Sequence, residues 1–173
     1  MINILIVDDD YNKVQLISSF ALSYDDNIKI VHASTSQDAR QRIRQTLFDL
    51  MLIDVNLPAS MGSTPSALGG MELFDVLILD SISRIPLDIE FITEKEDSLQ
   101  KYISEATQRG ISLSRFDASQ DTWKKHLIGK IKLAFVRRKR MISESPVVDI
   151  AIITALGPPE LDAVLNLPYN WET

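Results

Sequence analysis

Two groups of aspartates stand where an α/β chain does its chemistry. Asp8, Asp9 and Asp10 follow directly on the apolar, β-branched run Asn3 to Val7, and Asp54 follows Leu50, Met51, Leu52 and Ile53. Four apolar residues in succession suit a parallel strand covered on both faces. Open α/β sheets bind ligands outside the carboxyl ends of their strands, so acids at those ends are better placed for chemistry than for structure. One aspartate of the triplet suffices as a helix cap. Asp10 has that role, ahead of Lys13, Val14, Leu16, Ile17, Phe20 and Ala21 at a period of roughly 3.6 residues. Asp8 and Asp9 need another explanation.

Asp88 to Thr93 alternates polar and apolar as a less buried strand would, and it brings the Thr93 hydroxyl to the same edge. Two unit charges about 4 Å apart repel by roughly 4 kcal/mol at an effective dielectric of about 20, so clustered carboxylates need a cation or a proton. A hard divalent ion such as Mg²⁺ takes oxygen ligands from a few carboxylates and keeps positions for phosphate. It would neutralise a phosphoryl group as an oxygen of Asp54 attacks in line.

Five strands must alternate with five helices to bring these groups together. The strands read as Asn3 to Val7, Asn27 to Ala33, the central run ending at Asp54, Asp88 to Thr93, and Ile111 to Phe116. Helices follow from Asp10, from Ser34 to Asp38 (apolar Ala39, Ile43 and Leu47), over Met71 to about Arg84, over Ser98 to Gln108 with a stop at Gly110, and after a capping box at Asp117 to Gln120. Trp123, Leu127, Ile131, Leu133 and Phe135 mark the apolar side of the last helix. Between Pro58 and Met71 lies a long loop of small residues that could cover the site. Such alternation predicts a doubly wound, five-stranded parallel sheet of order 2-1-3-4-5, in which strands 1, 3 and 4 are neighbours.

Composition bounds the partners. The chain has 173 residues, 45% hydrophobic and 24% charged, with no cysteine and a net charge of −6. Residues 1 to 140 carry 19 acids and 18 bases, whereas residues 141 to 173 carry 5 acids and no Lys or Arg. No broad basic face is implied, so nucleic acid is not an expected partner. The basic cluster Arg137 to Arg140 reads as the end of a helix, where cations oppose the dipole. No apolar run approaches the roughly 18 residues of a membrane helix. A soluble, cytoplasmic protein without disulfides is expected.

The residues resemble the receiver domain of two-component response regulators. Ile4-Leu5-Ile6-Val7-Asp8-Asp9-Asp10 is similar to that family's first strand and acidic pocket, and Leu52-Ile53-Asp54-Val55-Asn56-Leu57-Pro58 to its phosphoacceptor strand. The resemblance covers residues 1 to about 140 and implies a flavodoxin-like (CheY-like) fold. It implies Mg²⁺ held by Asp8, Asp9 and Asp54 and by the backbone carbonyl of Asn56, phosphorylation of Asp54, and a Thr93 hydroxyl that moves toward the phosphate. A sensor histidine kinase or phosphotransfer protein would be the partner, with homodimerisation possible. The family's lysine at the end of the fifth strand is missing. Arg115 is its possible replacement, and Lys95 is another candidate cation. The family's aromatic switch residue has no match before Phe116. A non-switching pseudo-receiver acting as a protein interaction module is the alternative.

Residues 141 to 148 read as a linker around Ser143-Glu144-Ser145-Pro146. From Asp149 on, Ile150-Ala151-Ile152-Ile153-Thr154-Ala155-Leu156 and Pro159-Glu160-Leu161 resemble the opening of a nucleoside phosphorylase or nucleosidase domain. That resemblance implies a truncated effector in cis over residues 149 to 173.

Overall fold

The computed structural model describes residues 1–94 and 99–142. Lys95, residues 143 to 148 of the expected linker and the effector-like segment from Asp149 therefore lie outside the described residues, while the linker's first two residues, 141 and 142, are the last of helix α5. Five strands and five helices alternate: β1 (Ile2–Val7), α1 (Tyr11–Tyr24), β2 (Ile28–Ala33), α2 (Ser36–Gln45), β3 (Leu50–Asp54), α3 (Gly69–Leu79), β4 (Ile89–Thr93), α4 (Leu99–Gln108), β5 (Ser112–Arg115) and α5 (Thr122–Ile142). The strands form one parallel sheet in the order β2-β1-β3-β4-β5. The expected order is the observed one.

Strand periodicity sends alternate residues into two cores. Leu5, Val7, Met51, Ile53, Ile89 and Phe91 meet Ala39 and Ile43 of α2, Leu73 and Leu77 of α3, and Tyr102 and Ala106 of α4. Ile4, Ile6, Leu50, Leu52 and Ile92 meet Val14, Ile17 and Ala21 of α1 and Trp123, Leu127, Ile131 and Ala134 of α5. Asp54 follows Leu50 and Leu52 in phase, which directs its carboxylate to the α1 and α5 side.

Three local expectations are corrected. β4 is buried along its whole length rather than half-exposed. Its polar residue Glu90 is 1% exposed and sits beneath α5, accepting from the Ser112 hydroxyl with Lys130 Nζ at 3.0 Å and His126 Nε2 at 2.9 Å. Partnered charge, not solvent, explains the polar position. Helix α3 begins at Gly69 and ends at Leu79, earlier at both ends than its apolar pattern suggests. A Cβ on Gly70 would lie 2.0 Å from the Asp54 carbonyl oxygen, so only glycine lets the helix start there. Asp80 ends it by accepting from the Ile82 N–H and the Ser83 hydroxyl. Asp117 does not cap α5. It closes its own turn by accepting from the Ser119 N–H and hydroxyl, and helical bonding starts one turn later, with the Lys125 N–H donating to the Asp121 carbonyl.

The Arg137 to Arg140 cluster does more than oppose a dipole. Arg137 reaches the Leu87 carbonyl at 2.7 Å and Asp88 at 3.4 Å, and Arg138 lies 3.7 Å from Asp49. These contacts fasten the last turns of α5 to the amino ends of β4 and β3.

Candidate functional site

Asp8 leaves β1 still tied to β2. Its N–H donates to the Ala33 carbonyl and its own carbonyl accepts from His32 Nε2 at 2.9 Å. Its Oδ1 accepts the Asp10 N–H at 2.9 Å, which turns the chain toward α1. Asp10 is the N-cap, as expected, and accepts from the N–H groups of Asn12 and Lys13. Lys13 is thereby set in the first turn of α1. Helical side chains lean toward the N-terminus, so from that turn a long side chain reaches back over the strand ends.

Lys13 uses that reach. Its Nζ lies 2.7 Å from Asp8 Oδ2 and 2.5 Å from Asp54 Oδ1, and the residue is 3% exposed. The other oxygen of Asp54 accepts the Asn56 N–H at 2.7 Å. Asp9 points outward, yet one oxygen from each of Asp8, Asp9 and Asp54 lies within 4.8 Å of the others. The three acids expected to meet do meet.

A cation between two carboxylates reverses the local electrostatics. Repulsion of roughly 4 kcal/mol between charges about 4 Å apart gives way to two closer attractions of at least that size. Burial alone would lower the Lys13 pKa, but Asp54 and Asp8 outweigh it and raise the value, so the ammonium stays charged. Asp8 is pushed up to about 6, by burial first, with Lys13 opposing and Asp54 adding to the rise. Asp9 is raised as well, by partial desolvation first and the Asp54 charge after it.

Thr93 ends β4 fully buried, one register step beyond the Asp54–Ile92 pair, and its carbonyl accepts the Phe116 N–H. Arg115 pairs with Thr93 in the sheet register, and its guanidinium lies 3.7 Å from Asp117. The cation on Asp54 comes from α1 instead. Asn56 also accepts, through Oδ1, from the Tyr102 hydroxyl of α4 at 3.2 Å. The loop from Pro58 docks on the first turn of α2, whose Ser36 and Gln37 N–H groups donate to the carbonyls of Pro58 and Ala59.

Lys13 and Tyr102 are the residues that sequence reasoning missed. Lys13 was legible in principle. It stands four residues before Ile17 and eight before Ala21, so a charge occupied a core-facing phase of the helix.

Asp8, Asp9 and Asp54 have the chemistry of a hard divalent ion's ligands. Their oxygens converge closely enough to fit such an ion, and the Lys13 ammonium lies between two of them.

Comparison with solved structures places this geometry. A CheY-like response regulator receiver domain protein from Methanospirillum hungatei JF-1 superposes with a TM-score of 0.57 and 20% identity, covering 82% of this chain and 98% of that one. The response regulatory domain of mrkE from Klebsiella pneumoniae gives 0.57 and 17%, with coverages of 80% and 98%. The chemotaxis response regulator CheY4 of Vibrio cholerae gives 0.57 and 18%, with 78% and 98%. The chain has the receiver-domain fold.

No family model matches the chain. An uncharacterized protein of Sinorhizobium fredii (strain NBRC 101917 / NGR234), y4jS, is 28% identical over 98% of the chain. The chain spans 43% of the length of that relative. No helix among the described residues of this receiver fold is long and apolar enough to cross a membrane.

Proposed function

We propose that residues 1 to 140 form a two-component receiver module with Asp54 as the phosphoacceptor. The supporting observation is the convergence of Asp8, Asp9 and Asp54 at the carboxyl edge of the sheet. In the transfer step an Asp54 carboxylate oxygen bonds to phosphorus, and the bond from phosphorus to the donor's nitrogen or oxygen breaks. The leaving group departs with that electron pair. Asn56 orients the carboxylate through its N–H, and Thr93 and Arg115 are the groups nearest in register to contact the acquired phosphoryl group. Mg²⁺ would be held by Asp8, Asp9, Asp54 and the Asn56 carbonyl, and it would supply charge neutralisation on the phosphoryl oxygens.

The donor would be a sensor histidine kinase or a phosphotransfer protein, in the cytoplasm, and the second copy of a homodimer would be a further partner. The output would be an effector in cis, of nucleoside phosphorylase or nucleosidase type on the resemblance of residues 149 to 173. A longer relative, of which this chain spans 43%, is compatible with that arrangement.

Mass spectrometry after treatment with acetyl phosphate, with and without Mg²⁺, tests the reading. One phosphoryl adduct is expected, and it should be absent from Asp54→Asn. A second reading, the non-switching interaction module, is favoured by the Lys13 ammonium already neutralising Asp54. Absence of any adduct, with partner binding unchanged in Asp54→Asn, would select it.

A further inference from the structure

Resting on the receiver reading, we propose that Lys13 is the site's built-in counter-cation. It occupies the position a divalent ion would take between Asp8 and Asp54, so a metal enters only as the ammonium leaves.

All four oxygens of the two buried aspartates already have a donor. Asp8 Oδ1 accepts the Asp10 N–H and Asp54 Oδ2 accepts the Asn56 N–H, while the remaining two oxygens hold Lys13 Nζ at 2.7 and 2.5 Å. Mg²⁺ binds oxygens at about 2.0–2.1 Å. An ion at that distance from Asp8 Oδ2 and Asp54 Oδ1 would overlap the ammonium in contact with the same two atoms. The two cations also repel at any shared position, whereas either alone satisfies the acids. Lys13 and the metal are therefore alternatives.

Departure of the ammonium has a route into the fold. Lys13 Nζ lies 5.9 Å from the centroid of the Phe116 ring, and Phe116 packs on Trp123 of α5 with ring centroids 4.9 Å apart. Phe20 of α1 meets the other side of this cluster, 5.4 Å from Trp123. A cation or phosphoryl group arriving at Asp54 thus acts first on α1 and the α1–α5 seam.

The test is a calorimetric titration of the full chain with Mn²⁺ and, separately, Mg²⁺. Lys13→Met, which keeps bulk and removes charge, should bind Mn²⁺ at least tenfold more tightly than the wild type, and Lys13→Arg should not. Equal affinities in wild type and Lys13→Met would overturn the proposal. Should Lys13→Met fail to fold, the wild type supplies the answer through the ¹⁵N-resolved signal of its buried ammonium. That signal should disappear as Mg²⁺ saturates the site, and its persistence at saturation would refute the exclusion. The acetyl phosphate assay bears on the receiver reading alone. No adduct in either protein overturns that reading, whereas equal metal affinity overturns the role of Lys13 whatever the adduct shows.

Discussion

Lys13 and Asp54, 41 positions apart in the chain, meet in a buried ion pair of 2.5 Å. The contact joins the first turn of α1 to the end of the central strand and defines the charge of the pocket. Breaking one side of a buried pair costs about 3–5 kcal/mol, because the other charge is left without a partner. Lys13→Met should lower stability by about 3 kcal/mol in chelator-treated protein. The double variant with Asp54→Asn should recover part of the loss, giving a coupling of about 1–3 kcal/mol. Urea unfolding of the four proteins measures it.

Asp8 makes stability depend on pH. Its carboxyl titrates near 6 in the fold, chiefly through burial, against 3.8 in an unstructured chain. Between about pH 4 and pH 6 the native protein holds a proton that the unfolded chain has released. Stability contributed by this group is therefore present at the acid end of that window and declines as pH rises through it. Asp8→Asn should flatten the slope. Denaturant midpoints across the window decide the matter, and a wild-type midpoint that rises with pH in parallel with the variant's would contradict the assignment.

Gly70 and Gly129 should respond in opposite directions to alanine. A methyl on Gly70 would meet the Asp54 carbonyl oxygen at 2.0 Å and the Ile53 side chain at 2.9 Å, forcing α3 away from β3. A loss of about 2–3 kcal/mol is expected, in the range of overpacked cores. Gly129 lies within α5 with nothing within 4 Å of the added carbon. There alanine should gain about 0.5–1 kcal/mol through lower backbone entropy in the unfolded chain. Thermal unfolding of the two variants checks both signs.

Glu90 holds α5 to the sheet through Lys130, His126 and Ser112. Glu90→Ala opens a cavity in the buried strand and leaves Lys130 with Asp88 as its remaining acidic partner, and should cost about 2–3 kcal/mol. Glu90→Gln keeps the shape and the Ser112 bond, so a smaller loss is expected. A difference in melting temperature between the two variants of the same sign as this ordering would support a polar anchor.

Much of this fold was legible because strand and helix periods alternate along the chain. Runs such as Leu50 to Ile53 and the caps at Asp10 and Gly110 need no tertiary information. The meeting of Asp8, Asp9 and Asp54 followed from sheet order alone. Side-chain reach was the obscure part. Lys13 falls on the core-facing phase of α1, but a charge there has no reason until the acids of two strands are placed beneath it, and Tyr102 looks like ordinary core until Asn56 is placed beside its hydroxyl. Glu90 misled for the same reason, since its partners Ser112, His126 and Lys130 come from later elements. Where burial of a charge depends on a partner far along the chain, local pattern reports exposure instead.

The arginines at the end of α5 fix one end of that helix on the sheet. By gripping Asp88 and Asp49 at the amino edge of the sheet, Arg137 and Arg138 anchor the exit of the chain on the side opposite the aspartate pocket. A helix of 21 residues spans about 30 Å. Trp123 at the pocket end and Arg137 at the anchored end are thus about 20 Å apart, so a tilt of α5 about the arginine grip would displace the pocket end most, on the long arm of the lever.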